Sequence, residues 1–222
     1  MEKKKLEERR ARVRKILAAL KRRYPKAHIA LRYSNNWELL VAVELSAQCT
    51  DTMVNKVTEK LFKKYRTLDD YVNARPEEFE QDIRSTGFYR NKARNILAAA
   101  KMVKEKFGGT LPKTMEAMLS IPGVARKTAN VVLGNAHGIV EGIAVDTHVR
   151  RFAIKFDLSD YQDPVRIEKD LMAIIPKKEW FDFTYRIINY GRDICPARKH
   201  DCRAHTLSKL YPPAAEHFPK AR

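Results

Sequence analysis

The chain has 222 residues, 44 % of them hydrophobic, which suffices for one large or two modest domains with a real core. Its 44 basic against 27 acidic residues leave a formal charge of +17, so a polyanionic partner is expected, either nucleic acid or an acidic membrane. No run approaches the roughly 18 apolar residues of a membrane span, residues 1–10 hold no hydrophobic signal core, and three cysteines describe no disulfide framework. An intracellular protein, cytoplasmic or nucleoid-associated, is the expectation.

From Lys4 to Tyr24, the residues Leu6, Val13, Ile16, Leu17 and Leu20 recur at helical spacing among dense charge, and Pro25 ends the run. Asn35-Asn36 offer a cap to Trp37–Leu45, which is apolar on several sides and reads as a core helix. Ser46-Ala47-Gln48-Cys49 closes it, and Thr50-Asp51 cap the next helix, running to about Tyr65. Thr67 and Pro76 open two short helices, the second stopped by Gly87. Lys92–Phe107 carries Ile96, Leu97, Ala100, Val103 and Phe107 on one side and is closed by Gly108-Gly109. No stretch alternates as a strand does, and the expected fold class is all-α with around ten helices.

Pro122-Gly123 cannot lie inside a helix, so a segment ends at Leu119 and another begins near Ala125, giving two short helices joined by a hairpin. Glycine lets that backbone come close to a ligand, and the amides of Gly123 and its neighbours then suit an anion such as a DNA phosphate. Lys127 falls in the first turn of the second helix, where the dipole and Arg126 both disfavour an ammonium; a neutral amine is a nucleophile. Asp146 follows the apolar Ile143-Ala144-Val145 and precedes Thr147-His148-Val149, the pattern of an N-cap. Taken singly these residues have plain explanations, a solvated lysine and a helix cap. Further helices are expected at Thr147–Phe156, Val165–Ile175 and Trp180–Tyr190.

Together, Ile121-Pro-Gly-Val-Ala-Arg-Lys-Thr-Ala-Asn-Val-Val-Leu133 and Val145-Asp-Thr-His148 resemble the helix-hairpin-helix and Gly/Pro-Asp signature of the endonuclease III DNA glycosylases. One departure is Ala125, where that family usually has a second glycine. The resemblance implies two lobes: a six-helix barrel at 29–139, and a second lobe from 1–28 with 140–222. It makes Lys127 the attacking amine and Asp146 the catalytic carboxylate, facing each other at the cleft between lobes. It also implies that Gln48 fills the space left by an extruded nucleotide, that Phe88 is an apolar wedge, and that His148 lines the base pocket. Gly123, Ala125, Lys92, Arg126, Arg150 and Arg151 are the candidates for meeting phosphates. The activity implied is that of a base-excision-repair glycosylase with AP lyase activity, a monomer that removes oxidised or fragmented pyrimidines from duplex DNA and has no membrane partner. Two alternatives are a helix-hairpin-helix DNA-binding protein without catalysis and a mismatch-specific glycosylase of the same fold.

Many members of that family hold a [4Fe–4S] cluster on four cysteines spaced Cys-x6-Cys-x2-Cys-x5-Cys. Here the spacing survives as Cys195, Cys202, His205 and Tyr211, so two of the four thiolates are gone. The expectation is therefore no cluster and no other cofactor, with Leu207, Leu210, Tyr211 and Pro212 packing the loop as an apolar plug and Lys199 and Arg203 left for phosphates. A zinc site from Cys195, His200, Cys202 and His205 is the minor rival, disfavoured by the one-residue gap between His200 and Cys202.

Overall fold

The computed structural model describes residues 2–198 and 200–216, so Lys199 lies outside the described residues. In chain order the helices are α1 (Glu2–Arg23), α2 (Asn36–Leu45), α3 (Asp51–Lys64), α4 (Leu68–Val72), α5 (Pro76–Asp82), α6 (Tyr89–Phe107), α7 (Met115–Leu119), α8 (Arg126–His137), α9 (Thr147–Lys155), α10 (Pro164–Ile174), α11 (Trp180–Asp193) and α12 (Thr206–Leu210). No strand occurs among the described residues, as the lack of alternating runs predicts. None of these helices is long and apolar enough to cross a membrane. The chain divides into two compact units, Ala30–Glu141 and Met1–Ile29 with Gly142–Arg222.

The Ala30–Glu141 unit is built around α2. The Asn35 side chain caps it by accepting the Glu38 amide at 2.9 Å, and every residue from Glu38 to Leu45 is buried. A helix apolar on several sides has to be surrounded, and α2 packs against α3, α6 and α8. Both α4 and α5 lie against α6, and an aromatic cluster of Trp37, Tyr65, Tyr71 and Phe79, with centroids 5.2–5.8 Å apart, fills the space beside them. Helix α6 starts at Tyr89, three residues before the position expected, because Phe88 takes a left-handed turn that puts the next residue straight into a helix.

In the other unit α1 presents Val13, Ile16, Leu17 and Leu20 to a core shared with Val149, Phe152 and Phe156, Ile167 and Leu171, Phe183 and Ile187, and Leu207. That is the i, i+3, i+4, i+7 stripe read from the sequence. The charged face of α1 is not all left to solvent. Arg9 is buried and donates to Asp157 and Asp160, at 2.8 Å each, and Arg12 donates to the Phe156 and Asp157 carbonyls. Lys21 and the buried Arg186 share the carboxylate of Glu179.

Candidate active site

After α7 ends at Leu119, residues 120–125 turn the chain into α8. Buried Ile121 and Val124 anchor the turn, and the Val124 amide donates to the Ile121 carbonyl at 3.1 Å. Gly123 takes φ +82, which side-chain-bearing residues rarely adopt. Ala125 precedes α8 at φ −87 in ordinary extended backbone, so alanine in place of the expected glycine costs the hairpin nothing. Its methyl group also gives no side-chain cap to the first amides of α8. Lys127 is the second residue of α8 and is exposed; Arg126 beside it is half-buried.

Under the hairpin lies a residue the sequence reading passed over. Glu44 of α2 is buried against Gly123, where an added Cβ would stand 2.7 Å from Glu44 Oε2. No described group hydrogen-bonds Glu44 Oε1, and burial pushes the carboxyl pKa up to about 8. The available signal was a lone acid inside the run Leu39-Leu40-Val41-Ala42-Val43-Glu44-Leu45, on a helix with no polar face.

Asp146 is the N-cap of α9, its Oδ1 accepting the Val149 amide at 2.8 Å, and is half-buried. His148, one residue into the helix, lies against Gly191 of α11: a Cβ on that glycine would come 2.3 Å from its Nδ1. Only the missing side chain makes room for the imidazole. Arg150 is exposed and reaches Gln162 Oε1 at 3.2 Å, while Arg151 donates to the Cys195 carbonyl at 3.0 Å and so holds the loop after α11.

Gln48 and Phe88 sit on turns in the other unit, and both have left-handed backbones, φ 54 and 49. Such conformations cost of order 1–3 kcal/mol each and persist only where the surroundings impose them. Gln48 is exposed, and so is Phe88, at 63 %. Lys92 is what holds these turns, and this corrects its assignment to DNA phosphates. Its ammonium is buried and donates to the Leu45 carbonyl at 2.8 Å and the Thr86 carbonyl at 2.7 Å, tying the start of one turn to the start of the other. Burial holds its pKa below the ordinary lysine value.

The loop from Cys195 to His205 departs most from expectation. Cys195 and Cys202 are buried, and both sulfurs receive the buried Lys155 ammonium, at 3.1 and 2.8 Å. Burial pushes the Cys195 thiol pKa up, partly offset by Lys155. His200 Nε2 stands 3.1 Å from Cys202 Sγ, and its ring stacks on His205 with centroids 5.0 Å apart. One ligand atom from each of Cys195, His200, Cys202 and His205 falls within 4.8 Å of the others. Of the expected plug, Leu207 is buried, but Leu210 and Pro212 are exposed and Tyr211 is taken up by the Arg12 guanidinium, 3.9 Å from its ring centre. Arg203 pairs with Asp201.

Residues 41–177 match the family described as HhH-GPD superfamily base excision DNA repair protein. The chain belongs to this superfamily. It is 47 % identical over 210 residues to endonuclease III of Synechocystis sp., covering 95 % of this chain and 96 % of that one. A solved structure of a non-covalent endonuclease III–DNA complex matches with a TM-score of 0.88 and 45 % identity, over 93 % of this chain and 97 % of that one. A trapped endonuclease III–DNA covalent intermediate matches with the same TM-score, identity and coverage.

Membership of the HhH-GPD superfamily sharpens one correction. The expectation of no cofactor is overturned: where endonuclease III relatives carry a [4Fe–4S] cluster, this chain gathers two thiols and two imidazoles, a set that binds metal. The one-residue gap between His200 and Cys202 is no obstacle, because the segment is not helical and folds the imidazole back onto the sulfur. The donors also differ from the four thiolates that a [4Fe–4S] cluster takes, since His200 lies outside the cluster spacing and Tyr211, inside it, packs on Arg12.

Two predictions follow from the buried charges. Between the unfolded carboxyl value of 4.5 and about 8, folded Glu44 keeps a proton that the unfolded chain has released, so stability falls as pH rises through that window. Relative to Glu44→Leu, wild type should lose up to roughly 1.4 kcal/mol per pH unit there, read as the gap between urea-denaturation midpoints at pH 5 and pH 8; a constant gap would refute the buried neutral acid. Lys92→Met should cost about 2–4 kcal/mol of stability yet leave the salt slope of duplex binding unchanged, whereas losing a phosphate contact lowers that slope by about one.

Proposed function

We infer that this chain is a base-excision-repair DNA glycosylase with AP lyase activity, acting on damaged pyrimidines in duplex DNA. One observation carries the reading: an exposed primary amine, Lys127, stands in the first turn of the helix that leaves the hairpin, in a chain 45 % identical to a protein trapped covalently on DNA. A covalent intermediate needs a nucleophile, and an amine attacking a sugar carbon forms an imine that can carry the next step.

The target carbon of a deoxyribose is unreachable inside stacked duplex, so the nucleotide has to be turned out and the space refilled. Gln48 and Phe88 suit that work, being exposed on turns whose left-handed backbones hold them in set directions. Phe88 offers a ring face for stacking, and Gln48 an amide for the partner base. The amides beside Gly123 and Ala125 would take a phosphate, and Arg150 gives an exposed cation.

In the proposed reaction the Lys127 amine attacks C1′, the bond from C1′ to the base breaks, and the base leaves with the electron pair and takes up a proton. The Asp146 carboxylate stabilises the positive charge that develops on the sugar. Opening of the sugar gives an iminium linking Lys127 to C1′, which acidifies the C2′ proton. Loss of that proton with departure of the 3′ phosphate from C3′ nicks the strand, and water releases the amine.

Borohydride added during incubation with a duplex bearing thymine glycol or an abasic site should reduce the iminium and leave a covalent adduct. Lys127→Gln should form none, and Asp146→Asn should release base more slowly by on the order of 10²-fold or more. An adduct formed equally by Lys127→Gln would remove Lys127 as the nucleophile. Duplex binding by wild type with neither adduct nor base release would leave only a DNA-binding role.

A further inference from the structure

We propose that Cys195, His200, Cys202 and His205 bind one tetrahedral metal ion, zinc by the nature of its donors, through a ligand set that replaces two positions of the family's four-cysteine pattern.

Size is the first argument. With metal–ligand bonds of about 2.0–2.3 Å, two ligands of a single tetrahedral ion stand about 3.3–3.8 Å apart. The four donors already lie within 4.8 Å of one another, so closing on one ion takes shifts of no more than about 1 Å. Four irons and four sulfides set between the same donors would need them spread wider. Two sulfurs with two imidazole nitrogens is also a usual structural zinc set.

The imidazoles are arranged for the task. His200 Nδ1 stands 2.8 Å from the Arg198 carbonyl, which can only accept, so Nδ1 carries the proton and Nε2 turns its lone pair toward Cys202 Sγ, 3.1 Å away. A carbonyl that fixes the tautomer of a ligating histidine is the recurrent outer arrangement of metal sites. His205 Nδ1 is buried with no hydrogen-bond partner among the described residues, a cost that a ligand would remove. Lys155 donates to both sulfurs and Arg151 to the Cys195 carbonyl, so α9 supplies the second layer that orients the thiolates.

The site is independent of the catalytic reading, and Lys127→Gln should bind metal as wild type does. Elemental analysis of protein purified from metal-replete cells should find one zinc per chain. His200→Ala and His205→Ala should lose it, and Tyr211→Phe should retain it. Cobalt(II) added to protein stripped of metal should give the intense visible bands of a tetrahedral site with sulfur charge transfer, a readout on wild type that does not depend on whether a variant folds. Lys155→Met should weaken zinc by about 10–100-fold. Iron with acid-labile sulfide, kept in His200→Ala, would overturn the proposal, and so would protein that takes up neither zinc nor cobalt.

Discussion

Burying an ammonium costs several kcal/mol unless its protons meet acceptors, and each unit of this chain buries one to fix a turn. Lys92 joins the Leu45 and Thr86 carbonyls, and Lys155 joins the Cys195 and Cys202 sulfurs. Both lysines belong to rigid helices and both acceptor pairs to irregular backbone. The energy is recovered only if the turns hold their places, so the penalty for displacement is large and the turns become as well defined as the helices. Gln48 and Phe88, both with left-handed backbones, follow within three residues the carbonyls joined by the first clamp; Cys195 and Cys202, two of the four candidate metal donors, are joined by the second.

Helix α9 shows how one element serves two purposes within its unit. Its first turn is closed by Asp146, and its last two turns present Arg151 and Lys155 to the Cys195 loop. Phe152 and Phe156, on another side of the same segment, stack at 4.3 Å in the core. A shift of the loop would be felt along a helix whose other end carries the proposed catalytic carboxylate.

What the sequence disclosed depended on how local the signal is. Caps at Asn35, Thr50, Thr67 and Asp146, the stops at Gly87, Gly108 and Pro122-Gly123, and the apolar stripe of α1 are readable because each is decided by neighbours within a turn or two. Lys92 was misread because its acceptor at Leu45 is 47 residues away and its own neighbours, Arg90, Asn91 and Arg94, are those of a surface face. Glu44 is passed over in a reading of its core helix because Gly123, which lies against it, is 79 residues further along the chain. At the metal loop, a fixed cysteine spacing drew attention to Tyr211 and away from His200, whose role depends on a fold-back that spacing does not encode.

The net charge of +17 poses the same problem. It gives the sign of the partner, but Arg9, Arg12, Lys92, Lys155 and Arg186 are engaged inside their own units, with carboxylates, carbonyls or sulfurs as partners. Cations so held cannot release counterions from DNA, since they have already lost their water to a protein acceptor. The footprint on duplex must come from the exposed remainder, of which Arg150 beside the Asp146 cap is the member placed by the proposed chemistry, together with the backbone around Gly123. Specific contact then rests on a few groups set by backbone geometry, while the excess charge supplies a salt-sensitive attraction that is indifferent to sequence.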